Sequence, residues 1–359
     1  MKRIFSKWYI IIMLIVVLLS GCSSESVVMS DKETIIQLSS NNFWIGAVSN
    51  TRNCYIRGSH LFNPFYYGVI DLKEFNSTKG KEFVCIYDKG DAEFISLSNN
   101  GGCITTINGD VYLFLNGTDG SDPPVFENDE LLYRTPELFV SGYHYAELSN
   151  GEGIVYLLTE DNDLGYVTID SPNEFHLLCS NVEKFKENTS SFRTLLIVLT
   201  TDNRLIILNS EDMYSTKLEC FENILDFDIF RDGKSDRPSL IVLDENHDTY
   251  IGLDNYLSSF DSLDVNNYYK KIGEGIVSVT AYDRGVAMLD DDGSVSLYGS
   301  DLSSGQYSQI YNGEVVFTNV SFVSGDPKHL YIIRDNGEFE YYGKTFDGWN
   351  NNTIVSDFI

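Results

Sequence analysis

Asp226, Asp228, Asp232 and Asp236 fall within the stretch DFDIFRDGKSD, together with Gly233. Carboxylates gathered around a glycine are the ligand type of a hard cation such as calcium, which takes about six to eight oxygens. The stretch departs from an Asp-x-Asp-x-Asp-Gly register by two residues between its second and third aspartates, so a calcium loop and a solvated acidic loop are both open. Asp290-Asp291-Asp292 is a weaker candidate, since a tight turn explains it. His60, His144, His176, His247 and His329 are dispersed, and none has the spacing of a zinc motif. Neither a Gly-x-Ser-x-Gly elbow nor a phosphate loop is present. The sequence therefore nominates no catalytic residue, and no cofactor other than calcium at the four aspartates.

A second kind of chemistry is contact. HLFNPFYYG, residues 60–68, sets Leu61, Phe62, Phe65, Tyr66 and Tyr67 around Pro64 in a long connection. Aromatic side chains on an exposed connection are what partner-binding anchors look like, whereas the plainer alternative is that they cover a sheet edge. Asp347-Gly348-Trp349 is a second stretch of this kind, with Trp349 as its anchor.

At the N-terminus, Lys2, Arg3 and Lys7 precede an apolar run from Tyr9 to Leu19, followed by Leu19-Ser20-Gly21-Cys22. The run is short for a membrane-spanning helix, which needs about 20 residues. This arrangement resembles the lipobox of bacterial lipoproteins, in which the cysteine is lipidated on sulfur and becomes the first mature residue. The resemblance implies a signal peptide over residues 1–21 and a lipidated Cys22. Residues 22–33 then form a polar tether, and the chain is held on the extracytoplasmic face of the cell membrane.

Removing that signal takes three of the 25 basic side chains and none of the 53 acidic ones. A surface so acidic repels phosphate backbones and anionic headgroups, so nucleic acid is not an expected partner. Apolar residues make up 43% and aromatic ones 13%, which supports a folded body despite the charge. Cys54, Cys85, Cys103, Cys179 and Cys220 remain after Cys22, an odd number with no Cys-x-x-Cys unit. Export permits a disulfide such as Cys85 with Cys103, but small apolar core residues are the favoured reading.

What must position any such residues is a repeated hairpin. Seven copies start at Trp44, Gly102, Val155, Leu196, Leu240, Val286 and Leu330, at steps of 58, 53, 41, 44, 46 and 44 residues. Each has two runs rich in Val, Ile, Leu, Tyr and Phe around Asp/Asn-Gly, Asp-Asn or Glu-Asn, residues that tolerate the positive φ of tight turns. The first run is apolar at successive positions (LIVL, VAML, LYII), so both its faces should be buried. The second alternates, as in a strand covered on one side. Repeats of this period predict an all-β chain folded as a seven-bladed β-propeller over residues 34–359. Either Thr34–Leu38 or Thr353–Val355 could supply a strand to the last blade.

Residues 298–307, Tyr-Gly-Ser-Asp-Leu-Ser-Ser-Gly-Gln-Tyr, resemble the repeat of the regulator of chromosome condensation family, a seven-bladed propeller. The last copy keeps Val323-Ser324-Gly325, His329, Tyr342-Gly343 and Gly348, and the third keeps Val140-Ser141-Gly142 with His144. The resemblance implies structural roles for Gly299, Gly305, Gln306, Gly325 and His329 in closing turns and packing blades. Secreted bacterial members of similar fold imply protein binding. The sequence reading is therefore a monomeric, lipid-anchored, non-catalytic propeller that binds a protein, with its acidic surface favouring a basic one. The alternative is a hydrolase or lyase of extracellular carbohydrate with carboxylates at the mouth of the axial channel.

Overall fold

Leu195-Leu196-Ile197-Val198-Leu199 shows why the strands form as they do. Five consecutive β-branched or γ-branched apolar residues have no helical stripe, and all five are buried. Leu195, Ile197 and Leu199 pack with Phe227, Leu240 and Val242 of the next sheet, while Leu196 and Val198 pack with Tyr156, Leu158 and Leu164 of the preceding one. A strand buried on both faces in this way needs a neighbouring sheet on each side, and a ring supplies both.

The structure, a computed structural model, describes residues 34–40, 44–58, 83–98, 101–115, 126–127, 130–131, 136–149, 153–189, 194–209, 214, 217–231, 238–252, 269–282, 285–300, 310–325 and 329–343. Every regular element among them is a β-strand. The strands make seven antiparallel sheets around a ring, a seven-bladed β-propeller, with a two-stranded hairpin (Phe126–Glu127 and Glu130–Leu131) outside the blades. Each of the seven sequence hairpins is the second and third strand of one blade: Trp44–Ser49 with Cys54–Gly58 in blade one, through to His329–Arg334 with Phe339–Gly343 in blade seven.

Each blade's first strand pairs with the first half of its hairpin. These strands are Ile35–Ser40, Ala92–Ser98, Tyr143–Leu148, Val182–Thr189, Ile224–Arg231, Ile276–Tyr282 and Val320–Gly325. Fourth strands such as Val84–Tyr87 and Ser171–Cys179 complete blades one to six, and blade seven has three strands among the described residues.

Seven apolar clusters, one per joint between neighbouring blades, take the place of a single core. Ring closure follows from this arrangement. Ile35–Ser40 pairs with Trp44–Ser49 in blade one, so Thr34–Leu38 does not supply a strand to the last blade, and Thr353–Val355 lies outside the described residues. Blade seven meets blade one through side chains: Tyr331, Ile333 and Phe339 pack on Ile35, Leu38, Ile45 and Phe83.

The hairpin tips explain the repeated turn chemistry. Arg52, Gly109, Asn162, Asn203, His247, Gly293 and Gly337 occupy the left-handed region, one per blade. In six of them the carbonyl accepts from the N–H that begins the next blade's first strand, as in Val182 N–H to Asn162 O at 2.8 Å and Ile224 N–H to Asn203 O at 2.9 Å. Arg52 and His247 are unusual in that conformation, and each gains a compensating side-chain bond. Arg52 Nη1 donates to Ala92 O at 3.2 Å, and His247 Nδ1 lies 2.7 Å from Ile276 O. These are the same residues whose N–H groups take the Arg52 and His247 carbonyls.

Candidate functional site

First strands lie against one another between blades one and two, two and three, five and six, six and seven, and seven and one. Within them the blade core is built by Leu38, Ile95, Phe185, Phe227, Val279 and Val323, all buried at equivalent positions. The residues on either side of these reach sideways to the next first strand. Gln37 receives Ile95 N–H on Oε1 at 3.1 Å and donates from Nε2 to Ile95 O at 3.1 Å, and Ser39 Oγ accepts Leu97 N–H at 3.1 Å. Phe94 meets Tyr145 edge to face, with ring centroids 5.7 Å apart.

Between blades three and six this lining is charged. Lys184 Nζ donates to Asp226 Oδ1 at 2.6 Å and to Phe227 O at 3.1 Å, and Lys186 donates to Asp228. Asp228 is 3% exposed and also accepts Ala281 N–H at 2.8 Å and Thr280 Oγ1–H at 3.1 Å from blade six. Burial alone raises the Asp228 carboxyl, but Lys186 and Lys184 outweigh it and hold the group below the usual carboxylate range. Burial likewise depresses Lys184, and Asp226 and Asp228 reverse the effect. On the other side of Lys186, Glu187 accepts Ser149 Oγ–H at 2.6 Å and Tyr156 OH at 3.2 Å. Glu147 is pushed up to about 8 by burial and by the Glu187 carboxylate, with Lys186 opposing. A carboxyl shifted in this direction can donate as well as accept a hydrogen bond.

At the hairpin-turn end of the channel every first strand carries a register shift at its second residue. A bulge of this kind turns one extra side chain out of the ladder. Around the mouth stand the hairpin tips, in which carboxylates outnumber cations: Glu160, Asp161, Asp202, Glu245, Asp291, Asp292, Asp335 and Glu338 are all exposed.

The residues nominated from sequence are only partly gathered here. Asp226 and Asp228 lie on the strand Ile224–Arg231 rather than in a loop, and both are engaged by lysines; Asp232 and Asp236 lie outside the described residues. Among the described residues no group of three or more His, Cys, Asp or Glu side chains is placed to hold a metal. Cys22, Leu61, Phe62, Phe65, Tyr66, Tyr67, Trp349, Gly305 and Gln306 lie outside the described residues. Cys85 and Cys103 sit in different blades and are not joined in a disulfide. His329 is 1% exposed with its ring against Tyr331, and a Cβ on Gly325 would lie 2.0 Å from Ala281 O, so both are packing positions.

Lys184 and Lys186 were missed, although the sequence carries their signal. Lys-x-Lys and Asp-x-Asp fall at equivalent places in consecutive repeats, 42 residues apart.

No protein-family model matches this sequence, and no curated protein is similar to it. Solved propellers do share its fold. Prp20p from Saccharomyces cerevisiae, the yeast RCC1, aligns over 89% of this chain and 83% of its own at 14% identity, with a TM-score of 0.54. Human WBSCR16 aligns over 74% of this chain and 79% of its own at 12% identity, with a TM-score of 0.51. At such identities the likeness is one of fold, and it places the chain among the propellers.

Proposed function

We propose that this protein is a lipid-anchored propeller on the extracytoplasmic face of the membrane that binds a basic protein partner without catalysis. The carrying observation is the hairpin-turn face, where exposed carboxylates crowd the tips of blades three to seven and few cations answer them. A field of one sign over a rigid face raises the encounter rate with oppositely charged partners and discriminates against others. The channel supports binding over chemistry, because Asp226, Asp228 and Glu187 are committed to fixed partners within the ring. Prp20p, on the same fold, is described by its binding to Gsp1p and histones. Anchoring rests on the lipobox resemblance at Cys22.

Proximity labelling on intact cells tests both halves, comparing the native chain with Cys22→Ala. One or two dominant partners, lost at high salt and absent for the Cys22→Ala form, are expected; recovery of none refutes the binding reading. A carbohydrate hydrolase could draw its acid from Glu147, whose carboxyl burial and Glu187 push up to about 8; turnover of wall glycans left unchanged by Glu147→Gln excludes Glu147 from that role.

A further inference from the structure

The side chains turned out by the first-strand bulges are not distributed evenly. On blades two, three and four the bulged residue is Glu93, His144 or Glu183, whereas on blades five, six and one it is Leu225, Val277 or Ile36. On blade seven Ser321 folds back, its Oγ donating to Ile333 O at 3.2 Å, and the next residue, Phe322, is exposed instead. Leu225 is 37% exposed, Val277 43%, Phe322 36% and Ile36 48%. Single exposed apolar residues are ordinary on any protein surface. Leu225, Val277 and Ile36 stand at one level of their strands and Phe322 one residue further along, so the four follow adjoining strands in an arc; the first strands of blades five and six, six and seven, and seven and one are in contact.

Carboxylates border this arc. Ile224 pairs with Asp244, Ile276 with Asp290 and Val320 with Arg334, so the register sets Glu245, Asp291 and Asp335 one residue beyond the strand ends that flank Leu225, Val277 and Phe322. Glu245, Asp291 and Asp335 are exposed, as is Glu338 on the same tip as Asp335, and among the described residues none of the four is paired with a lysine or arginine.

We propose that the channel mouth over blades five, six, seven and one seats a basic segment of a partner protein that carries a large aliphatic side chain between its lysines or arginines. An apolar segment without charge would strip water from these carboxylates and return no partner, and a purely basic one would leave the arc in water. This inference rests on the protein-binding reading and places the contact at the hairpin-turn face.

The test uses the purified full chain and two short synthetic peptides of equal charge, one lysine-rich with a central Leu-Leu pair and one with Ser-Ser in its place. By fluorescence anisotropy at low salt, the leucine peptide should bind about tenfold more tightly, the effect of burying roughly one leucine side chain. Leu225→Ser with Val277→Ser, both at exposed positions and checked by an unchanged Tm, should abolish that difference. Glu245→Gln with Asp291→Asn and Glu338→Gln should weaken both peptides alike. Equal binding of the two peptides, or a preference that survives in the Leu225→Ser/Val277→Ser form, overturns the apolar seat and leaves the basic-partner reading standing. Binding of neither peptide overturns both.

Discussion

Two joints of the ring are held by different physics. Where blade four meets blade five, the apolar cluster is supplemented by the Lys184–Asp226 and Lys186–Asp228 pairs, which continue into blade six through Ala281 and Thr280. Where blade seven meets blade one, the described contacts are apolar and aromatic: Phe339 stacks on Tyr331 with centroids 6.1 Å apart and meets Phe83 edge to face at 6.4 Å. Among the described residues packing carries the closing joint, whereas charge is added to packing between blades four and five. Lysine–aspartate pairs between first strands are satisfied in one register, the use for which buried charge is best attested.

Phe339→Ala should be the larger of two disruptions. The ring is 1% exposed, and truncating a buried phenylalanine costs about 4 kcal/mol through lost burial and an unfilled cavity. The closure joint should open first, so hydrogen exchange over Ile35–Ser40 should accelerate ahead of the other blades. Uniform protection across all seven blades in the variant would show that closure does not depend on this cluster. Asp228→Ala at the charged joint should cost somewhat less, about 3 kcal/mol in urea unfolding, because the Lys186 side chain is 40% exposed and retains water. A Lys186→Met/Asp228→Leu pair should recover a large part of that loss. If the single variant costs less than about 1 kcal/mol, the pair counts for no more than an exposed surface bridge.

Glu147 sharpens the comparison by extending the charged side of the ring to blade three. Its carboxyl, ordinarily near 4.5, keeps its proton up to about 8 in the folded chain. Between those values the folded state binds more protons than the unfolded one, so stability falls as pH rises through the window. Glu147→Gln removes that loss. Thermal melts of the two forms should coincide near pH 4, separate between about 4.5 and 8 and stay apart above pH 8, the variant being favoured there by about 2 kcal/mol after allowing for partial exposure and the opposing Lys186 charge. Parallel stability curves across this range would place the proton elsewhere.

Much of this architecture was legible in the sequence because the blade centres obey one rule. Strands such as LIVL and VAML are buried on both faces, and that leaves an unbroken apolar run followed by a turn that any reader can count. First strands were harder to read: in ILDFDIFR the alternation looks like the start of a solvated loop because the polar side faces a channel instead of the exterior. For the same reason Asp226 and Asp228 read as part of an oxygen-rich loop, whereas they lie on a strand and meet lysines one repeat upstream. The doublets Ile35-Ile36, Ile224-Leu225 and Ile276-Val277 also carried a signal. Two apolar residues before a polar one mark a core position followed by a bulge, but that meaning depends on a register that only pairing reveals.

Hairpin tips are the feature that the two joints share, and they supply the smallest test. Asn203 at the charged joint has φ near 62° and accepts Ile224 N–H, while Gly337 at the closure joint has φ near 84° and would bring an added Cβ within 3.2 Å of Thr34 Cγ2. Alanine in the left-handed region costs about 1 kcal/mol at Gly337, where it adds a Cβ that crowds the following carbonyl; Asn203 already has a Cβ, so alanine there costs less, through loss of the local hydrogen bonding that lets asparagine adopt this conformation. Gly337→Ala carries the Thr34 contact in addition, and Asn203→Ala does not, so the closure-joint variant should lose slightly more in urea midpoint. Asn203→Gly should be close to neutral, which separates backbone conformation from any contribution of the amide side chain. Should Asn203→Ala instead prove the costlier of the two, the turn at the charged joint carries more than its backbone bond, and the two joints differ at their rims as well as at their cores.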